Sequence, residues 1–370
     1  MKLSDYNTIV IKIGSSLIID EKSSSLRLKW LKSFAKEVKK LQKAGVDVVL
    51  VCSGSIASAS KTLGKLRSEL NLEESQAYAA FGQAILIGNL RRIFARQGLD
   101  IAQILITNED CENRRRYLNM RATIGKLLEM NIIPVINEND TISTDEIKFG
   151  DNDGLAARTV GIVDADLLVL LSDVDGLYDK NPKGNKDAKF LAEVKSITKK
   201  IEDLAGEDTS HYGTGGMASK IAAAKIATEF GANVIITKGE GNKSLFGLDK
   251  NKKHTLFKAK KSTVSSRKKW LSGLKSKASV VINKCAVDVL KKGGCSLLPV
   301  GVVKVRGSFK RGDAISVETE KGKKIALGLS GMDVSDLKKV MGKSSSDIKG
   351  SNSAPKRLNV IHYDDMALLR

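Results

Sequence analysis

The first 240 residues alternate short, nearly unbroken apolar runs with longer stretches whose apolar residues recur at helical spacing. The runs at 8–13, 46–51, 101–106, 132–136, 167–171 and 234–237 predict strands, and the stretches 26–43, 73–96, 115–130 and 216–230 predict helices. Strands apolar along their whole length, alternating with helices, predict a mainly parallel sheet sandwiched by helices. Ligands of such sheets gather beyond the carboxyl ends of the strands.

From about residue 279 the pattern changes. Short runs at 280–282, 301–305, 314–318 and 324–327 are separated by the turns Gly293-Gly294, Arg306-Gly307 and Arg311-Gly312-Asp313. They predict a small, mostly β domain. The expected organisation is an α/β domain over 1–250, a basic connector over 251–278 and a β-rich domain over 279–370.

Composition narrows this picture only in places. The chain has 370 residues, 42% hydrophobic and 28% charged, as expected of a globular protein with a substantial core. No apolar run approaches the ~18–20 residues of a membrane span, and Asp5 stands where a signal peptide would place its apolar stretch. Cys52, Cys111, Cys285 and Cys295 are scattered and read as reduced cytosolic thiols. His211, His254 and His362 lack metal-ligand spacing, so no protein-held metal is expected.

The formal charge of +20 is uneven. Between Glu240 and Lys277, twelve Lys and Arg face two acids, a balance of +10. Such a stretch serves either as a solvated linker or as a polyanion contact. Aromatic residues make up only 5%, few for stacking bases, which weighs against RNA as a partner.

Candidate chemistry begins with Gly213-Thr214-Gly215-Gly216-Met217-Ala218-Ser219-Lys220, followed by an alanine-rich helical segment. Bare backbone N–H groups feeding a helix N-terminus suit a phosphate, and Lys220 falls in the first turns of that helix. An ordinary glycine-rich loop is the alternative. Lys12 interrupts an apolar strand just before the Gly14 turn. Its charge either faces water from an edge strand or points into an anion site. Two lysines beside glycine turns suit phosphoryl transfer, in which the protein positions substrates and neutralises charge.

Asn137-Glu138-Asn139-Asp140 and Phe149-Gly150-Asp151-Asn152-Asp153 carry four acids and three asparagines. They form either a polar hairpin or a cluster gripping a cation and orienting lysines, with Asp153 able to hold both Lys12 and Lys220. Ser172-Asp173, at the end of the run 167–171, is either a nucleotide contact or a turn.

In this order the motifs Lys12-Ile-Gly-Ser-Ser16, Val51-Cys-Ser-Gly54, Asn137-Glu-Asn-Asp140, Phe149-Gly-Asp-Asn-Asp153, Leu171-Ser-Asp-Val-Asp-Gly-Leu-Tyr178 and Gly213-Thr-Gly-Gly-Met-Ala-Ser-Lys220 resemble the amino acid kinase family. Within it they are most similar to the branch acting on glutamate. Arg267-Lys-Lys-Trp270 resembles that branch's segment before its second domain, and 279–370 resembles a PUA domain, through Ser296-Leu-Leu-Pro-Val-Gly301, Gly307-Ser-Phe-Lys-Arg-Gly-Asp313 and His362-Tyr-Asp-Asp-Met366.

The resemblance implies ATP-dependent phosphorylation of the L-glutamate side-chain carboxylate, the first step of proline biosynthesis, in a cytoplasmic enzyme. It assigns Lys12, Lys220 and Asp153 to catalysis. Ser53, Gly54, Asn137, Asp140, Asp151 and Asn152 would bind glutamate. Lys12, Gly14, Ser172, Asp173, Thr214, Gly215, Gly216, Met217, Ala218, Ser219 and Lys220 would contact ATP, which would bring Mg²⁺. Proline as feedback inhibitor and a homo-oligomer, dimer or tetramer, are also implied. Another amino acid kinase and an RNA-binding protein are the alternatives. Cys52 and Ser55 stand where that branch commonly has Ser and Ala, and both flank Ser53. In the tail, Ile282-Asn-Lys-Cys-Ala286 and Gly331-Met-Asp-Val334 also depart from the usual pattern.

Overall fold

The computed structural model describes residues 2–20, 23, 25–143, 152–182, 184–185, 187–204, 216–241, 243–250, 252–259, 276, 278–344, 347–348 and 359–369. The chain divides into two compact units, one of residues 1–112 and 119–261, the other of residues 113–118 and 262–370.

The larger unit is built on β1 (Thr8–Ile13), α1 (Leu28–Lys43), β2 (Asp47–Cys52), α2 (Ser55–Leu63), α3 (Leu72–Ala95), β3 (Ile101–Ile106), most of α4 (Arg114–Glu129, of which 114–118 fall in the smaller unit) and β4 (Ile133–Glu138). It continues with α5 (Asp153–Val163), β5 (Leu167–Ser172), β6 (Glu193–Val194), α6 (Met217–Glu229), β7 (Asn233–Lys238) and β8 (His254–Phe257). Among the described residues its main sheet has eight strands in the order β6-β8-β7-β5-β1-β2-β4-β3. From β7 through to β3 every pairing is parallel; β8 pairs antiparallel with β7.

Each predicted strand forms within two residues of its expected ends. β1 runs through the middle of the sheet, flanked by β5 and β2. Ile9, Ile11 and Ile13 pack with Trp30, Leu31, Phe34 and Val38 of α1 and with Leu86, Leu90 and Phe94 of α3 in one core cluster. Trp30 and Phe34 stack at 5.0 Å between ring centroids. Alternation along the strand turns Val10 and Lys12 to the opposite face, where α5 packs against β1 and β5. There α5 and α6 come so close that a Cβ on Gly161 would stand 2.7 Å from the Phe230 ring.

Local chemistry sets the helix ends. Asn71 caps α3, its side chain accepting from the Glu74 amide (2.8 Å) while Glu74 accepts from the Asn71 amide (3.1 Å). α2 was not expected from its serine-rich sequence, and β8 falls inside the stretch read as connector. Alternate residues of β8 are buried: Thr255 and Phe257 are enclosed while lysines flank the strand.

The smaller unit holds β9 (Ala278–Ile282), α7 (Lys284–Lys292), β10 (Val302–Arg306), β11 (Ala314–Thr319), β12 (Lys324–Leu329), α8 (Val334–Val340) and β13 (Met366–Leu368). Its sheet runs β10-β9-β11-β12-β13, antiparallel except between β9 and β11. Val280, Ile282, Phe309, Ile315, Val317 and Ile361 form its core. The departure at 283–286 starts α7, with Asn283 accepting from the Ala286 amide at 2.9 Å.

Candidate active site

The carboxyl ends of β1, β5 and β7 are tied together. The Gly14 amide donates to the Leu171 carbonyl (3.2 Å) and the Gly239 amide to the Ser172 carbonyl (2.7 Å). Trp30 Nε1 adds a bond to the Gly239 carbonyl at 2.7 Å. Gly239 has no room for a side chain, since a Cβ would lie 2.2 Å from Leu17 Cδ1.

Lys12 is only 6% exposed on its central strand, so the edge-strand alternative does not hold. A buried ammonium requires a counter-charge, and Asp153 supplies it at 2.6 Å through Oδ1. The other oxygen, Oδ2, faces Lys220 Nζ at 3.2 Å. Asp153 opens α5 and Lys220 lies on the first turn of α6, the helix pair brought together at Gly161 and Phe230. Asp153 is wholly enclosed and Lys220 is buried. Ser219 Oγ stands 2.8 Å from the Gly216 carbonyl and 3.2 Å from Asp153 Oδ2.

Gly216 caps α6 with extended backbone, leaving the first-turn N–H groups of Met217, Ala218 and Ser219 without helical partners. Ser172 and Asp173 follow β5, with Ser172 Oγ donating to Asp173 Oδ1 at 2.7 Å. Thr214, Gly215 and Asp151 lie outside the described residues.

A second group gathers at the ends of β2 and β4. Ser53 and Gly54 form the turn into α2, with Gly54 at φ +110, a conformation that favours glycine. Asn152 Nδ2 donates to the Cys52 carbonyl (2.7 Å) and to Asn137 Oδ1 (2.8 Å). Asn137 Nδ2 in turn donates to Gln83 Oε1 of α3 at 3.0 Å. Asp140, just past β4, accepts from Ser55 Oγ at 2.9 Å. Burial pushes the Cys52 thiol up to about 12, so it is a neutral wall of this group. Burial lowers the Arg67 guanidinium, and the negative charge of Asp140 opposes that shift.

The structure thus joins Lys12, Asp153 and Lys220, and beside them Cys52, Asn137 and Asn152. Gln83 and the Ser55–Asp140 bond were not read from the sequence. Gln83 sits in an amphipathic helix as one polar residue among many, and only its burial marks it. Among the described residues, no group of three or more His, Cys, Asp or Glu could hold a metal.

Buried cations at the carboxyl ends of a parallel sheet, beside a glycine-capped helix, suit the movement of a phosphoryl group between anions. The amino acid kinase family model matches residues 7–238 and the PUA domain model residues 278–351. The chain belongs to the amino acid kinase family. Its curated relatives include glutamate 5-kinases: that of Bradyrhizobium diazoefficiens is 45% identical over 99% of this chain and 98% of its own length. The Brucella abortus enzyme of the same name is 45% identical over 99% of this chain and 97% of its own. Among solved structures, UMP kinase from Ureaplasma parvum aligns with a TM-score of 0.48 and 17% identity over 68% of this chain and 98% of that one.

Proposed function

We propose that this protein transfers the γ-phosphoryl group of ATP to the side-chain carboxylate of L-glutamate, giving γ-glutamyl phosphate and ADP. One observation carries the chemistry: Lys12 and Lys220 meet on the buried Asp153 at the carboxyl ends of the central strands. Full-length similarity to glutamate 5-kinases supports the choice of substrate.

The acceptor carboxylate is ionised at pH 7, its reference pKa being about 4.3. No general base is needed. One carboxylate oxygen bonds to the γ-phosphorus, the bond to the β–γ bridging oxygen breaks, and ADP leaves without a proton transfer. The obstacle is repulsion between two anions. Lys12 and Lys220 neutralise charge on the moving group, and Asp153 fixes where their ammonium groups stand.

The site fits a nucleotide through the open N–H groups of the α6 N-terminus, with Gly14, Ser172 and Asp173 bordering the same strand ends. Mg²⁺ entering with ATP would supply further neutralisation of the phosphate charge. Ser53, Gly54, Asn137, Asp140 and Asn152 hold the amino acid. In this reading the enzyme is cytoplasmic, opens proline biosynthesis, assembles as a dimer or tetramer and responds to proline as feedback inhibitor.

The test is ADP release with Mg-ATP and L-glutamate, N-acetylglutamate or aspartate, trapping acyl phosphate with hydroxylamine. Glutamate-dependent hydroxamate is the expected result. Folded protein inactive with glutamate would overturn the assignment.

A further inference from the structure

We infer that the peptide joining Gly239 to Glu240 is a contact for the nucleoside part of the nucleotide, its N–H aimed by Trp30, which acts as a positioning residue. The inference rests on the proposed kinase reading and adds a donor that lies outside the glycine-rich motifs.

Trp30 lies on α1 among the side chains that cover one face of the sheet, and its Nε1–H holds the Gly239 carbonyl at 2.7 Å. The peptide between Gly239 and Glu240 is trans, so its N–H points opposite to its carbonyl. With the carbonyl drawn toward α1, the Glu240 N–H turns toward the other face, the one that carries Lys12. Among the described residues this amide makes no hydrogen bond.

The preceding peptide is held separately, by the Gly239 amide on the Ser172 carbonyl. Gly239 is buried, with Leu17 filling the space of a Cβ, between the exposed Lys238 and Glu240, whose side chains pair at 2.9 Å. Two turns further along α1, the buried Glu37 accepts from the Ser244 hydroxyl (2.8 Å) and the Phe246 amide (2.9 Å). α1 thus grips the chain on both sides of Glu240, which fixes the direction of the N–H.

Position decides what the N–H meets. The amino acid is assigned to the ends of β2 and β4, so the nucleotide extends the other way from β1, over β5 and β7. β7 lies two strands from β1, roughly 10 Å at the usual strand spacing. A triphosphate ending at Lys12 therefore brings its nucleoside, not its γ-phosphate, to β7. The charges agree: Glu240, Asp175 and Asp173 all act on Lys238, so the surroundings do not favour phosphate. An uncharged acceptor on the nucleoside suits the N–H.

The experiment measures binding of ADP and of inorganic tripolyphosphate by calorimetry, and KM for ATP and L-glutamate, in wild type, Trp30→Phe, Glu240→Ala and Glu240→Pro. Trp30→Phe keeps a ring over Phe34 and removes the indole N–H. Proline removes the Glu240 N–H itself, and alanine controls for the lost carboxylate. One uncharged hydrogen bond corresponds to about a fivefold change. The ADP Kd and ATP KM should rise by that factor in Trp30→Phe, and in Glu240→Pro relative to Glu240→Ala. In Trp30→Phe the tripolyphosphate Kd and glutamate KM should stay within about twofold. Unchanged ADP binding in either comparison overturns the inference, as does an equal loss for tripolyphosphate. A wild-type protein that binds ADP but forms no glutamate-dependent hydroxamate overturns the glutamate reading alone, and the binding constants still decide the inference.

Discussion

Lys12 Nζ and Asp153 Oδ1 stand 2.6 Å apart, and their side chains are 8% and 0% exposed. One belongs to the central strand, the other to the first turn of a helix across the sheet face. With solvent excluded, the attraction between them is far stronger than that of an exposed pair, but so is the cost of breaking it. The same arrangement that readies the site also makes it a point of structural risk.

Replacing Lys220 or Lys12 by alanine is expected to lower kcat by ~10²–10³, the range for losing one preorganised electrostatic contact to a developing charge. Steady-state assays alongside circular dichroism check this. A folded Lys220→Ala protein with near-normal turnover would remove that lysine from the mechanism.

Asp153→Asn keeps the shape of the side chain and removes its charge from between two buried ammonium groups. Breaking a buried pair in this way typically costs about 3–5 kcal/mol. Urea titration should show a lower midpoint with an unchanged slope, and the residual folded fraction should be inactive.

Asn152→Ala leaves the Cys52 carbonyl and Asn137 Oδ1 without the amide that now bonds both. Unsatisfied buried acceptors of this kind cost ~1–3 kcal/mol. A lower thermal midpoint together with a raised glutamate KM is expected. A stability loss with no change in KM would show that Asn152 only braces the strand ends.

Cys52, pushed up from its ordinary value of 9.0 to about 12, favours the neutral thiol in the folded state. The unfolded chain ionises at lower pH, so this stability is fully present below 9.0 and is lost as pH climbs toward about 12. Iodoacetamide at pH 8.5 should label the exposed Cys285 and Cys295 in native protein and spare Cys52 until denaturant is added. Mass spectrometry of the digested protein reads this directly.

Much of the larger unit is legible in its sequence because β1, β2, β4 and β5 are buried on both faces and therefore apolar along their length. α5 was hidden for the opposite reason. Its first residues, Asp153 and Gly154, read as the end of a polar turn, and its own glycines and β-branched residues speak weakly for helix. α2 was concealed by Ser55, Ser58 and Ser60, small side chains that suit close packing as well as they suit a loop. In the site, lysines next to glycine turns were visible as oddities of composition. What sequence could not supply was the pairing of distant polar residues, such as Gln83 with Asn137 or Ser55 with Asp140. Those depend on register and helix placement, and neither leaves a local pattern.

Gly82 and Gln83 are neighbours on α3, and each backs a different side of the group of residues proposed to hold the amino acid. Gly82 lets the helix press against the Ser55 carbonyl, while Gln83 accepts from Asn137. A small rotation of α3 would move both sides together, although the helix contributes no reacting group. Changes in substrate preference within this chain should therefore also arise from substitutions on the buried side of α3, which would tune affinity as a dial set behind those residues.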